Sequence, residues 1–175
     1  KPDRRQRQMC IRDRSTTVSL IDHILKANGK EVYMGGNIGI AIFDLPVVNQ
    51  EDTYYVLELS SYQLALIKNA RFDISVLLNI TPDHLDRHGS FKNYKKAKEK
   101  IFTGGIEIRE GDLQDRELES EIKKHNIEIA KFANIENLIA AYKIAKICDI
   151  SDQAIMASLE NFISLPHRLE YLGNI

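Results

Sequence analysis

The chain has 175 residues, enough for one ordinary domain with its own core. Hydrophobic residues make up 43% and charged residues 28%, and the net charge of -1 removes any electrostatic case for nucleic acid or an anionic membrane as partner. Two cysteines, Cys10 and Cys148, offer no disulfide framework or cysteine zinc site, and neither a membrane-length apolar run nor a signal peptide is visible, so a cytoplasmic, monomeric enzyme or binding domain is expected.

Residues 1–14, KPDRRQRQMCIRDR, hold six Lys/Arg against two Asp and show no periodicity. They read as a disordered basic arm, or as sequence foreign to the fold, ahead of a domain spanning 15–175. The pattern Val18, Ile21, Ile24, Leu25 predicts a helix over 16–28, stopped by Gly29. EVYMGG then reads as a short strand running into a glycine turn, and YYVLELS (54–60) as a second strand. DISVLLNI (73–80) is nearly continuous in apolar residues, as expected of a strand buried on both faces. Helices are expected over 91–102, 134–148 and 152–163, the last capped by Ser151. Between them, IEIRE suggests a strand, 114–125 a charged helix, and IEIAKF another strand. Strands alternating with helices imply an α/β fold with a mostly parallel sheet.

Ligands of open parallel sheets bind at the carboxyl ends of the strands. That rule selects Gly35–Gly39, Glu58–Ser61 and Thr81–Gly89. Glu58 lies within an apolar strand, so it either faces solvent at an edge or ligates a metal. Asp83, His84, Asp86 and His88 follow the most apolar strand, where they suit a divalent metal, acid–base chemistry or an ordinary solvated loop. On a helix turning about 100° per residue, Phe91, Tyr94, Ile101 and Phe102 share an arc of about 80° that also contains Lys98. Such a lysine either snorkels to water or is buried as a nucleophilic amine. A buried amine can react with carbon dioxide to give a carbamate, an anion able to hold a metal. The glycines of GGNIG allow close approach to the backbone around Asn37, or simply make a turn. In LPHRLE, His167 and Arg168 sit in a surface turn or face an anion.

In this order, STTVSLIDHILKANGKEVYMGGNIG, YVLELSSYQL, LLNITPDHLDRHGSFKNYKKAKEKIF, NIENLIAA and LPHRLE together resemble the central domain of the Mur ligases, over about 15–102 and 132–175. GGNIG and ELSSYQL favour the branch that adds D-glutamate over its relatives and over the folylpolyglutamate synthases. The resemblance implies a P-loop NTPase-like α/β domain, here truncated, from an ATP-dependent amide ligase of peptidoglycan precursor synthesis. Its substrates would be UDP-N-acetylmuramoyl-L-alanine and D-glutamate, with ATP and two Mg2+ ions. ATP would phosphorylate the substrate carboxylate, and the amine of D-glutamate would displace phosphate. By position, Ser15 matches the phosphate-loop hydroxyl that reaches magnesium, with Thr16 beside it. Glu58 and His84 match magnesium ligands, and Lys98 matches a carbamylated lysine. Asn37 and Ser60 match positions near the UDP-sugar. Asn134, Asn137 and Arg168 match nucleotide contacts.

The departures lie at the loop. Its family form is G-[ST]-N-G-K-[ST]-T, whereas no glycine precedes Ser15 and Arg14 stands at the lysine position. Arginine keeps the charge but not the compact ammonium, and the missing glycines matter more for curling backbone N–H groups around phosphate. Ala133 replaces a usual histidine, and residues 103–131 match poorly. The expectation is a central-domain fragment, inactive alone. A non-catalytic nucleotide- or partner-binding module and a folylpolyglutamate synthase-like ligase are the alternatives.

Overall fold

The computed structural model describes residues 4–48, 50, 52–125, 127 and 133–162, with side chains from Asp13 onward. Helix α1 (Arg4–Ala27) leads into strand β1 (Glu31–Gly36). Strand β2 (Thr53–Glu58), helix α2 (Ser61–Leu66) and strand β3 (Ile74–Leu77) follow. Helices α3 (Leu85–His88) and α4 (Phe91–Glu99) precede strand β4 (Ile106–Arg109). Helices α5 (Arg116–Lys124), α6 (Ile135–Ile147) and α7 (Asp152–Glu160) complete the described order.

The parallel α/β character expected from the sequence is present. β1 pairs in parallel with β2, from Glu31 opposite Thr53 to Gly36 opposite Glu58. β3 pairs in parallel with β4, from Ile74 opposite Ile106 to Leu77 opposite Arg109. No ladder joins β2 to β3 among the described residues, so the sheet comes as two pairs rather than one.

Several element ends differ from expectation for local reasons. α1 starts at Arg4, so the backbone is helical across the boundary expected between residues 14 and 15. β2 stops at Glu58 because Ser60 caps α2. Its hydroxyl accepts from Gln63 N–H at 3.2 Å, while Gln63 Oε1 accepts from Ser60 N–H at 2.8 Å. This reciprocal capping box ends the strand. β3 is confined to four residues, α4 ends at Glu99 and α7 at Glu160. Ser151 caps α7 as expected, accepting from Ala154 N–H. IEIRE supplies β4 and the charged helix is α5, whereas most of IEIAKF lies outside the described residues.

The core forms where α1 packs on α6, α7, β1 and β2. Leu20, Ile24 and Leu25 of α1 meet Leu138, Ile139 and Ala141 of α6 in one cluster, all at most 1% exposed. Their spacing is the apolar stripe of an amphipathic helix. No described helix is long and apolar enough to cross a membrane.

β1 ends at Gly36, where φ is +108° and an added Cβ would lie 2.3 Å from the Glu58 carbonyl oxygen. Only glycine tolerates both the angle and the approach. Gly29 has φ +76° but nothing within 4 Å of its added Cβ. Gly29→Ala should therefore cost about 1 kcal/mol from backbone strain alone. Gly36→Ala should cost clearly more by urea unfolding; equal losses would show that the contact with Glu58 is not a constraint. Ile24→Ala, at a fully buried site, should cost about 2–5 kcal/mol in the same measurement.

Candidate functional site

Glu58 closes β2 with its side chain buried at 2% exposure. Burial strips a carboxylate of water, so it needs other partners. Ser15 Oγ, from α1, donates to Oε2 at 2.6 Å. Asn37 Nδ2, from the turn after β1, donates to Oε1 at 3.0 Å. Arg14 Nη1 lies 3.8 Å from Oε1 and donates to the Leu59 carbonyl at 3.4 Å. The turn is fixed from the backbone as well, because Asn37 N–H donates to the Glu58 carbonyl at 2.7 Å. A solvent-facing Glu58 is thereby excluded, and GGNIG is a constrained turn that aims Asn37.

A cavity of about 760 Å³ opens beside this cluster, and Arg14, Asn37, Glu58, Ser60, His84 and Lys98 all line it. Lys98 is only 7% exposed on α4, beside buried Tyr94 and Ala97, which favours burial over snorkelling. His84 opens α3 with φ of 52°. A left-handed histidine stores strain of about 1–3 kcal/mol. Its ring lies 5.0 Å from that of Tyr62 and 6.3 Å from that of Tyr94. Asp83 Oδ1 accepts from His84 N–H at 2.9 Å, and Asp83 Oδ2 lies 3.4 Å from His84 Nε2.

The expected Asp/His cluster therefore divides. Asp83 and His84 line the cavity, but Asp86 and His88 do not. His88 Nε2 instead meets Ser61 Oγ at 3.1 Å, with its ring stacked on Tyr62. Ser15 and Thr16 are buried, at 0% and 6% exposure, and Thr17 rather than Thr16 reaches the cavity wall. Ser60 lines the cavity while its hydroxyl caps α2. Asn134 caps α6, accepting from Glu136 N–H at 3.3 Å. Asn137 is 1% exposed and donates from Nδ2 to Asp13 Oδ1 at 3.2 Å, tying α6 to α1. Neither asparagine lines the cavity. Arg168 and the rest of LPHRLE lie outside the described residues. Burial pushes the Cys148 thiol up, keeping it protonated on the cavity wall.

Among the described residues, no three of His, Cys, Asp and Glu gather into a metal-holding group. Ser15 Oγ and Glu58 Oε2, however, are hard oxygen donors 2.6 Å apart. Adjacent ligands of an octahedral magnesium ion lie roughly 2.9 Å apart, so this pair fits that ion in chemistry and nearly in spacing. Arg14 lies against the other carboxylate oxygen, at 3.8 Å, where it would compete with such an ion. The sequence did not reveal this ion pair, nor the Tyr62 rings against His84 and His88. The S-x-x-Q capping box of Ser60 and Gln63 was the available signal for α2, which carries Tyr62.

A family profile described as the Mur ligase middle domain matches residues 14–169. A UDP-N-acetylmuramoylalanine–D-glutamate ligase of Rickettsia prowazekii is 33% identical over 93% of this chain and 45% of its own length. The ligase of the same name from Zymomonas mobilis is 36% identical over 91% of this chain and 41% of its own. That of Wolbachia pipientis is 54% identical over 52% of this chain and 17% of its own. The chain thus spans less than half the length of these relatives.

Because Ser15 and Asn37 both stabilise one buried carboxylate, their removal should be coupled. Ser15→Ala and Asn37→Ala should each cost about 1–3 kcal/mol, the range for a buried acceptor that loses its donor. In a Glu58→Gln background each loss should shrink. Additive losses in a thermal or urea double-mutant cycle would refute the shared dependence.

Proposed function

The chain belongs to the Mur ligase family through its middle domain, and from that premise we propose that it is the nucleotide-handling part of an ATP-dependent ligase joining D-glutamate to UDP-N-acetylmuramoyl-L-alanine. The names of the similar ligases support this choice of substrates. The observation that carries the reading is the convergence of Ser15, Asn37 and Arg14 on buried Glu58, beside buried Lys98, at the carboxyl end of a parallel strand.

The chemistry requires a carboxylate and a triphosphate to meet despite their like charges. Magnesium, when bound, would neutralise charge on the transferring phosphoryl group. Ser15 and Glu58 would hold it, with His84 and a carbamylated Lys98 as further ligands. Hydrogen bonds from Ser15 and Asn37 fix the position of the Glu58 carboxylate before any ligand arrives, although a cation would have to displace Arg14 and the Ser15 hydroxyl proton. Asn37 orients one oxygen of Glu58 and faces the cavity that would take the sugar substrate, with Ser60 on the same wall. Asn134, Asn137 and Arg168 are assigned to the nucleotide, Asn137 by holding the α6–α1 junction.

A second reading is favoured by one specific observation. α1 is helical from Arg4 through Thr16, where a phosphate loop would curl. N–H groups inside a helix bond to the preceding turn and cannot face phosphate. A non-catalytic module would keep the fold without binding the triphosphate. Titration calorimetry with magnesium–ATP separates the two. The chain is compared with a version whose residues 9–14 carry a G-T-N-G-K-type loop. The ligase reading predicts at least roughly tenfold tighter binding by the loop variant, a difference of about 1.4 kcal/mol, and loss of its metal dependence on Glu58→Gln. No binding by either protein would favour the non-catalytic module.

A further inference from the structure

The single turn of α3 carries two imidazoles. His84 opens the turn and His88 closes it, one helical turn apart, so both side chains leave the same side of it. His88 N–H donates to the His84 carbonyl at 3.0 Å, which fixes the spacing of the two residues. A helix this short has no stability of its own in water. Its orientation is therefore set by whatever grips it from outside.

The polar grips from neighbouring helices converge on His88. Its Nε2 meets Ser61 Oγ at 3.1 Å, and Ser61, the first residue of α2, is only 2% exposed. Asn93 Nδ2, from α4, donates to the His88 carbonyl at 3.0 Å. The His88 ring stacks on Tyr62 at 5.8 Å and meets the edge of Tyr94 at 5.5 Å, both within the range of favourable aromatic pairs. Tyr62 also reaches the other imidazole, with its ring 5.0 Å from that of His84. His88 thus acts on His84 twice, through the backbone of the turn and through the Tyr62 ring.

His84 has need of such support. Its backbone is left-handed, its side chain makes no capping hydrogen bond, and 40% of that side chain is exposed. Two torsions separate an imidazole from its backbone, and a half-exposed ring populates several staggered wells unless neighbours exclude them. Asp83 Oδ2 lies 3.4 Å from His84 Nε2, but Asp83 is the preceding residue and moves with the same segment.

We propose that His88 is a positioning residue for His84: by gripping Ser61, Asn93 and Tyr62 it fixes the turn of α3 and selects one rotamer of the His84 imidazole on the cavity wall. His88 itself is off that wall, so its part is to orient and not to touch a ligand. The use of the fixed ring rests on the ligase reading, in which His84 holds magnesium; the fixing of the ring does not. Residues that orient a metal ligand from outside commonly change metal affinity about 10–100-fold.

The test uses the full 175-residue chain and the variants His88→Ala, Ser61→Ala and Tyr62→Phe. Three-bond NMR couplings across the His84 Cα–Cβ bond report how many rotamers the ring populates. The unaltered chain should show one, and Tyr62→Phe, which keeps the aromatic ring, should match it. His88→Ala should show averaged couplings. Ser61→Ala removes only the partner hydroxyl and should show partial averaging, so the test survives if His88→Ala fails to fold. Broadening of the His84 ring signals by Mn2+ should need roughly tenfold more metal in His88→Ala. A merely structural His88 would lower the unfolding midpoint and leave the His84 couplings and the Mn2+ titration unchanged. That result would overturn the proposal, and so would couplings already averaged in the unaltered chain. Averaging in His88→Ala without Mn2+ broadening at His84 in any of the proteins would uphold the positioning role and remove His84 from the metal site.

Discussion

A carboxylate buried at the end of a strand must be compensated before the chain can fold around it. Glu58 imposes that requirement here, and much of the local architecture answers it. The φ of Gly36 turns the chain so that Asn37 reaches both the carbonyl and the carboxylate of Glu58. Burial of α1 against β2 brings Ser15 to the second carboxylate oxygen. The capping box at Ser60 ends the strand immediately beyond it. An apolar residue at position 58 would need none of these arrangements. Their cost makes sense if the carboxylate is kept for chemistry rather than for stability.

The same cluster would set up a competition if a divalent ion entered it. A guanidinium and a divalent ion both suit a carboxylate, but one is tethered and the other is recruited from solution. Arg14 is long and weakly hydrated, and it reaches Glu58 from within α1. The tethered cation balances charge without presenting open coordination positions. Helical continuity through Arg14 acts in the same direction, because it ties up the N–H groups that a phosphate would otherwise receive. Sequence around Ser15 therefore governs two properties together: the partner of Glu58 and the availability of backbone donors.

Much of this was legible in the sequence, for identifiable reasons. The apolar stripe of Val18, Ile21, Ile24 and Leu25 gave α1 its buried face, whereas the apolar arc of α4 singled out Lys98 but left both snorkelling and burial open, and the packing of α4 decides for burial. A glutamate amid Tyr, Val and Leu marked Glu58 because burial of charge is rare. What escaped depended on contacts distant in sequence. Arg14 and Glu58 are separated by 44 positions, and nothing local announces their meeting. His88 looked like a companion of His84, yet α3 carries it to Ser61 instead. The division of the sheet into two pairs was equally hidden, because periodicity identifies strands but not their neighbours.

We propose that Glu58 and Ser15 would hold a divalent cation, with Arg14 as its competitor. Paramagnetic broadening by Mn2+, read by NMR in the chain and in Arg14→Met, checks this. Broadening should centre on Ser15, Asn37 and Glu58, and the variant should reach the same broadening at roughly tenfold less Mn2+, the equivalent of about 1.4 kcal/mol. Broadening centred on Asp86 or the charged face of α5, with Glu58 unaffected in both proteins, would contradict it.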